Sequence, residues 1–275
     1  MFQFSERHIE EYQTLGYTVF RGIVPSTLVE DLRRQCDLGA KLGREMDGPN
    51  TQRFGPRTID GIDLQPFRDF LDLPAIRESV AKVLPSEVVS STVEGMFSVL
   101  IEPTEFPYCT QWHRDWRDNV KGLDLTRWEA DYKDMDLFNQ VNCALYEDCC
   151  TWVVPGSHLR KDTDAEMTRF PSRPIDGPQL DDLNNSQRER ACLEYCQSLP
   201  DAQRLLLDAG DYCLYRNSLW HLGNYISYRK RATLHEGVMT AKFQTWVEVN
   251  IQDAGRRISE GADWENPNQA RLVAQ

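Results

Sequence analysis

The sequence predicts a mainly β protein with flanking helices, in which the strands form a jelly-roll barrel. Two observations lead to this fold class: residues 1–87 carry helical patterns, and residues 88–250 carry many short strand-like runs separated by turn residues. A chain of 275 residues is long enough for one such core. We therefore expect a single domain over residues 1–275, with insertions at 117–137 and 160–200.

The first helix and the first strand have clear boundaries in the sequence. Ser5 is a suitable N-cap, and Gly16 lacks the Cβ that would hinder the end of a helix. Residues 17–24 are rich in aromatic and β-branched side chains and are followed by Pro25, which is typical of a strand.

Two further helices are predicted before residue 88. Thr27 and Glu30 form a capping-box pattern that opens the second helix. A polar stretch at 43–60 reads as a loop, and Pro74 suits the first turn of a third helix. The apolar residues expected to face inward from these two helices are Leu28, Leu32, Leu38, Ile76, Val80 and Val83.

The remaining runs predict the barrel. In the first of them Phe97, Val99 and Ile101 alternate with other residues and should share one face. The insertions carry helical patterns at 123–137 and 186–199. The predicted strands are 93–103, 138–146, 151–154, 204–207, 212–215 and 231–250.

Composition excludes several classes of partner. The formal net charge is -12, which disfavours nucleic acid because phosphates are bound by Lys and Arg. No stretch approaches the roughly 18 apolar residues that a membrane span needs. The start of the chain shows no basic segment followed by an apolar one, so we expect a soluble, cytoplasmic protein. Its oligomeric state is not predicted.

The eight cysteines do not form a metal or disulfide pattern. They contain no paired C-x-x-C units of the kind that bind zinc, and several lie in apolar runs. We therefore expect buried free thiols in a reducing compartment.

The first candidate metal ligands are His113 and Asp115, an H-x-D pair in CTQWHRDWRD. In an extended chain residues i and i+2 point to the same side, so both side chains can meet one ion. A distant third ligand would complete a face of two histidines and one carboxylate, the arrangement of non-haem iron(II) oxygenases. The pair alone is also compatible with a site without metal, in which a half-buried His113 is hydrogen-bonded to its neighbour.

The third ligand candidate is His221, in DAGDYCLYRNSLWHLGNYISYRKRATLHEG. Arg231 follows at the start of a strand that we expect to run antiparallel to the strand carrying His221. That geometry would place the guanidinium deeper than the metal. A guanidinium there suits the capture of a carboxylate whose other end chelates the ion.

Four blocks in this order resemble the phytanoyl-CoA dioxygenase family of iron(II)/2-oxoglutarate oxygenases. They are EEYQTLGYTVFRGIVPSTLVEDLR, FSVLIEPTEFPYCTQWHRDW, WVVPGSHLR and GDYCLYRNSLWHLGNYISYRKR, which together span nearly the full chain. The resemblance implies a double-stranded β-helix of cupin-like form. It also implies an iron(II) cofactor, 2-oxoglutarate as cosubstrate, and O2.

Carried over onto this chain, the resemblance implies a set of site residues. The metal ligands are His113, Asp115 and His221, and Arg231 holds the C5 carboxylate of 2-oxoglutarate. Arg229 is the alternative, because the loop after His221 is about one residue shorter than the family pattern. Weaker candidates for contacts to cosubstrate or substrate, each also compatible with a structural role in a strand, are Gln111, Gln140 and Asn142.

The implied reaction is oxidation of an aliphatic C–H bond of a small-molecule metabolite in biosynthesis, by hydroxylation, desaturation or ring formation, with release of succinate and CO2. One alternative is a cupin-like metal-binding barrel without 2-oxoglutarate chemistry, and another is an acyl-CoA hydroxylase. An iron halogenase is disfavoured because Asp115 would occupy the halide position. Both insertions are acidic and are expected to line the substrate entrance, which favours a free small molecule over a coenzyme A ester.

Other polar residues near these motifs receive structural predictions. His158 belongs to a Pro-Gly-Ser-His turn, and His235 should pack within the strand after Arg231. Strand alternation predicts that Arg114 points away from the metal and that Arg117 returns to the metal side, where it would meet a substrate anion or solvent.

Overall fold

The computed structural model describes residues 2–89 and 97–265. The strands of these residues form two antiparallel sheets. In chain order they are β1 (Tyr17–Phe20), β2 (Arg53–Phe54), β3 (Ser98–Ile101), β4 (Tyr108–Cys109), β5 (Asn139–Ala144), β6 (Thr151–Val153), β7 (Gln203–Arg204), β8 (Tyr212–Arg216), β9 (His221–Tyr225) and β10 (Ala232–Gly237). One sheet has the order β1-β8-β5-β10-β3-β2 and the other β4-β9-β6-β7.

Helices flank both sheets. They are α1 (Glu6–Leu15), α2 (Ser26–Asp47), α3 (Gln65–Leu71), α4 (Pro74–Val83), α5 (Leu125–Asp131), α6 (Asp164–Arg169), α7 (Asn185–Cys196) and α8 (Ala241–Ser259). Helices α1 to α4 share one apolar core with β3, β5, β8 and β10. Across the parts of the chain that the structure describes, no helix combines the length and the apolar character that crossing a membrane would take.

The predictions for α1 and β1 agree with the structure. Ser5 and His8 form a capping box at the start of α1, and the helix ends at Gly16 with φ 85°. That left-handed conformation is one that glycine adopts without strain. Strand β1 follows directly and is shorter than predicted.

Helix α2 differs from its prediction at both ends. It begins after Pro25, and no side chain caps it, so the Thr27–Glu30 capping box is wrong. It continues to Asp47 through Gly39 and Gly43, whose missing side chains leave room for Phe54 of β2. Leu38 was expected to face inward and is 36% exposed.

The alternating face of β3 is confirmed: Phe97, Val99 and Ile101 all lie in the core shared with the N-terminal helices. The first residues of the predicted strand 93–103 lie outside the described residues. Strands β5 and β6 fall within the predicted runs, β8 extends its run of 212–215 by one residue, and β7 overlaps the run at 204–207.

The predicted strand 231–250 is wrong in its second half. Strand β10 ends at Gly237, and Thr240 then accepts a hydrogen bond from the Phe243 backbone at 3.0 Å and caps α8. The residues that α8 buries are spaced three or four apart, as a helix requires: Phe243, Trp246, Asn250 and Ala254. Aromatic and β-branched residues at these positions imitate a strand, and only their spacing reveals the helix.

The fold class needs one correction. Antiparallel strands flanked by helices are confirmed, but α2 and α8, with 22 and 19 residues, together hold more residues than all the described strands. The chain is therefore α+β and not mainly β. Closure of the two sheets into a jelly roll stays a prediction.

Candidate metal centre

Three predicted ligands converge between the two sheets. One donor atom from each of His113, Asp115 and His221 lies within 4.8 Å of the others. Oδ1 of Asp115 is 3.3 Å from Nε2 of His113 and 3.8 Å from Nε2 of His221. Two imidazole nitrogens and one carboxylate oxygen therefore face a common point, as a divalent cation requires.

Backbone pairing brings these residues together from distant parts of the chain. His113 and His221 form an isolated antiparallel bridge, with N–H···O distances of 3.1 and 3.0 Å. The amide of Asp115 donates to the carbonyl of Asn217 at 2.8 Å. Backbone hydrogen bonds at both His113 and Asp115 thus hold the H-x-D segment against the segment that carries His221.

Hydrogen bonds also orient the three side chains. Nδ1 of His113 donates to the carbonyl of Gln111 at 2.7 Å, and Nδ1 of His221 donates to the carbonyl of Leu219 at 2.9 Å. Because Nδ1 carries the hydrogen in each ring, Nε2 keeps its lone pair for a metal. Asn119 donates to Oδ1 of Asp115 at 2.8 Å and restrains the carboxylate.

The electrostatics of this cluster suit a cation. Burial raises the pKa of Asp115, but the close contact with His113 and the other nearby histidines outweigh it and lower the pKa to about 2. Burial and the neighbouring His113 lower the pKa of His221 to about 4. At neutral pH the cluster therefore offers an ionised carboxylate and a neutral imidazole at His221, both ready to bind a metal without losing a proton.

A cavity of about 510 Å³ extends from this cluster between the sheets. The strand register shows the order of the lining residues along the cavity. Gln140 pairs with Tyr215 at the metal end, and Asn142 pairs with His235 further in. Arg231, just before β10, lies at the far end, where its guanidinium carbon is 4.8 Å from the centre of the Tyr225 ring. All these residues line the one cavity.

Arg231 lies where a deep anion site is expected. It is 4% exposed, and its Nε donates to Oδ2 of Asp148 at 2.9 Å. Its Nη1 is also buried and meets no hydrogen-bond partner anywhere in residues 2–89 and 97–265. A buried guanidinium N–H without a partner is costly, which indicates that a ligand completes it.

The route by which Arg231 reaches this place differs from the prediction. Strand β10 pairs with β3 and β5 and not with the strand of His221, which belongs to the other sheet. The segment after His221, predicted as a polar loop, is strand β9. Arg231 and the metal ligands therefore face each other across the space between the sheets.

Two predicted binding residues are placed elsewhere by the structure. The Arg229 side chain, the alternative to Arg231, is 46% exposed and pairs with Glu147 at 2.9 Å, outside the cavity. The Gln111 side chain is exposed and also lies outside the cavity; its contribution is the carbonyl that orients His113.

A hydrogen-bonded chain of polar side chains lines the middle of the cavity. Asn142 donates from Nδ2 to the Thr151 hydroxyl at 2.9 Å and accepts from Nδ1 of His235 at 2.8 Å. Nε2 of His235 then accepts from Nε2 of Gln140 at 2.7 Å. Burial and the charge of Arg53 lower the pKa of His235 to about 3, so its ring stays neutral.

His235 was predicted only to pack within its strand, and it faces the cavity instead. The signal for this was present, since Arg231, Thr233 and His235 alternate along β10 and share one face. Asn142 and Gln140 do line the cavity, as the sequence suggested.

The arginines around the H-x-D pair belong to a buried ionic cluster. Arg114 points away from the metal as predicted and donates to the carbonyls of Ser157 and Ser218. Arg117 does not return to the metal side; it binds Asp118 and Asp162, each at 2.8 Å. The insertion at 160–200 is thereby attached to the metal-binding segment.

The acidic substrate entrance predicted from the insertions is therefore wrong. Two of its acids are buried in this cluster, and among the described residues no acid of either insertion lines the cavity. The first insertion contributes Asn119 and Val120, whereas the second contributes none of the described lining. Apolar residues complete the metal end of the cavity: Trp116, Met239 and Phe243.

The eight cysteines are free, as predicted, and all but Cys149 are buried. Their thiols are not among the clustered metal donors found in the described part of the chain.

Comparison with known proteins concerns the fold. No protein-family model and no curated protein sequence matches this chain. AviO1 from Streptomyces viridochromogenes Tue57 is a similar structure, with 15% identity over 86% of this chain and 95% of its own, and a TM-score of 0.53. The chain shares its fold.

Two further structures show the same likeness. The non-heme alpha ketoglutarate dependent carbocyclase SnoK from nogalamycin biosynthesis is 16% identical over 85% of this chain and 83% of its own, with a TM-score of 0.52. EvdMO1 is 17% identical over 83% of this chain and 48% of its own, with a TM-score of 0.53. Membership of the phytanoyl-CoA dioxygenase family stays a prediction.

Proposed function

We propose that this chain is an iron(II)- and 2-oxoglutarate-dependent oxygenase that oxidises an aliphatic C–H bond of a small-molecule metabolite. The observation that carries the proposal is the composition of one cavity. It holds the cluster of His113, Asp115 and His221 at one end and the unpartnered Nη1 of Arg231 at the other. That SnoK, which has a similar fold, is an alpha ketoglutarate dependent enzyme supports it.

The donor set fits iron(II). Two imidazoles and one carboxylate on one side of an ion leave positions for a chelating cosubstrate and O2. Iron(II) bound there would supply the redox chemistry that couples decarboxylation of 2-oxoglutarate to succinate and CO2 with C–H oxidation. The protein's part is to direct Nε2 of both histidines at the ion and to keep the carboxylate fixed, through Gln111, Leu219 and Asn119.

Arg231 would bind the distal carboxylate of the cosubstrate. Its charge is assured, because burial opposes it but the nearby Asp148 raises its pKa well above the ordinary value. Asp148 accepts from Nε of the guanidinium, and Nη1 is left for a carboxylate oxygen. The ion pair with Asp148 gives Arg231 a structural partner, and Nη1 is the part of the guanidinium that still requires a ligand.

Apolar side chains at the metal end would exclude water from the reaction. Trp116 packs edge-on against Phe243 and Trp246, which belong to α8. Val120 and Met239 pack against the same cluster. A dry wall strengthens the electrostatic contacts inside the site and shields reactive species from solvent.

The direct test is calorimetric titration of 2-oxoglutarate into the Mn²⁺-loaded protein without oxygen. We expect binding by the wild type and by Arg229→Ala, since that arginine lies outside the cavity. We expect none with His221→Ala, whose metal site has lost a ligand. A metal-binding barrel without this chemistry would bind Mn²⁺ but give no heat with 2-oxoglutarate, and that result would refute the proposal.

A further inference from the structure

We propose that the substrate of this site presents neutral hydroxyl groups, as in a cyclic polyol or a glycoside ring, to Oδ1 of Asn217 and Oε1 of Gln140. This inference rests on the proposed function and names its substrate class. It makes these two amides the residues that determine specificity.

The first observation is that both oxygens are buried acceptors that meet no hydrogen-bond donor within the described chain. Asn217 is 5% exposed, and both residues line the cavity. The orientation of Gln140 follows from its neighbours: its Nε2 donates to His235, so Oε1 is the atom left over. Buried polar atoms of this kind are uncommon in proteins and require a partner.

The cosubstrate cannot supply that partner. At neutral pH 2-oxoglutarate carries two carboxylates and a keto group, which accept hydrogen bonds and donate none. It therefore matches the donor at Arg231 and does not match the acceptors at Asn217 and Gln140. The cavity is divided by hydrogen-bond polarity into a donor end and an acceptor end.

The acceptor end is the end where the oxidised C–H bond would lie. The carbonyl of Asn217 accepts from the amide of Asp115 at 2.8 Å, which holds Asn217 beside the metal ligands. Gln140 lies opposite Tyr215 on the neighbouring strand, and Tyr215 also lines the cavity next to His221. A molecule bonded to both amides would be held beside the metal.

Charge distinguishes hydroxyl groups from ammonium groups as the donors. The described lining includes two arginines, Arg53 and Arg231, whereas its carboxylate, Asp115, is a metal ligand. A cationic substrate would therefore be repelled by the two arginines and would find no free carboxylate to pair with. A neutral hydroxyl donor meets no such repulsion. The apolar wall of Trp116 and Phe243 suits the C–H face of a ring, whose hydroxyls then reach the amides.

The test uses the Mn²⁺- and 2-oxoglutarate-loaded protein without oxygen, and ligand-observed NMR. The probes are cyclic polyols and methyl glycosides, each paired with its fully O-methylated counterpart. Methylation removes every donor and keeps the acceptors and the ring. We expect hydroxylated members to bind and their methylated counterparts to bind at least about tenfold more weakly, as loss of one or two hydrogen bonds implies.

Three variants assign the effect to residues. Asn217→Leu should weaken binding of the hydroxylated probes about tenfold and should leave thermal stability unchanged or higher, because it removes a buried unpartnered acceptor. Gln140→Met should weaken binding similarly. Asn224→Leu is the matched control, since Asn224 also has a buried unpartnered Oδ1 but lies outside this cavity.

Several results would overturn the inference. They are equal binding of methylated and hydroxylated probes, unchanged binding by both cavity variants, and no binding of any hydroxylated probe while 2-oxoglutarate still binds. Each leaves the proposed function intact. Failure of the wild-type protein to bind 2-oxoglutarate would instead refute the proposed function.

Discussion

Replacing Arg231 should affect stability and cosubstrate binding through different atoms. Its Nε bonds to Asp148 at 2.9 Å, and Asp148 also accepts hydrogen bonds from the Thr233 hydroxyl and the Cys150 amide. Arg231→Leu would leave that carboxylate buried without its cation. Breaking a buried ion pair in this way costs about 3–5 kcal/mol of the free energy of unfolding.

A double variant separates the two effects. Arg231→Leu combined with Asp148→Asn removes both charges, while the asparagine oxygen can still accept from the Cys150 amide and its NH2 group, in the place of Oδ2, can donate to the Thr233 hydroxyl. Because no buried charge is left without a partner, we expect the free energy of unfolding to return to within about 1–2 kcal/mol of the wild-type value. Affinity for 2-oxoglutarate should remain low, since a charge-assisted hydrogen bond contributes about 1.5–3 kcal/mol, or roughly tenfold to more than a hundredfold.

The assay is urea denaturation for stability and calorimetric titration of 2-oxoglutarate into the Mn²⁺-loaded protein for binding. Asp148→Asn alone is the control for the change at that position, and Arg229→Ala is the control for loss of a nearby exposed arginine. If the double variant were stable and bound 2-oxoglutarate as tightly as the wild type, Arg231 would have a purely structural role and the reasoning would fail.

Three further outcomes follow from single contacts. Asn119→Ala should weaken Mn²⁺ binding about 10–100-fold in a metal titration, because Asp115 loses the donor that restrains it; unchanged affinity would show that the carboxylate is held otherwise. Gly16→Ala should lower the free energy of unfolding by more than about 1 kcal/mol, since φ is +85° and the added Cβ would lie 2.5 Å from Nδ1 of His158; a neutral result in urea denaturation would contradict this. Burial, with the nearby Arg216, lowers the pKa of His158 from 6.5 to about 4, so the unfolded chain binds the proton more readily and stability is lost as pH falls through this interval. His158→Gln should therefore reduce the loss between pH 7 and pH 5 by about 2 kcal/mol, and equal losses in the two proteins would refute that assignment.

The sequence by itself determined the features that depend on neighbouring residues. The alternation of Phe97, Val99 and Ile101 identified the buried face of β3, and the i, i+2 spacing of His113 and Asp115 placed both side chains on one side. The order of the motifs then pointed to a distal histidine and to an arginine beyond it. These inferences needed only the geometry of an extended chain.

Element boundaries were decided by contacts between distant segments. Helix α2 continues through Gly43 and buries that residue, whereas its sequence context predicts the start of a loop there. The glycine that a close contact requires is Gly39, where an added Cβ would lie 2.4 Å from the Phe54 ring. Helix α8 was mistaken for a strand because its buried aromatic residues suit either structure until the partner surface is known.

Only the tertiary structure decided which charged residues reach the cavity. Arg231 and Arg229 are two residues apart, yet one is buried beside Asp148 and the other is exposed, since Arg231 directly precedes β10 and Arg229 lies in the bend before it. Arg117 is withdrawn into a cluster with Asp162, to which no sequence pattern connects it. Whether a charge is solvated, paired or directed at a ligand depends on what packs around it, and that information lies in segments far apart in the chain.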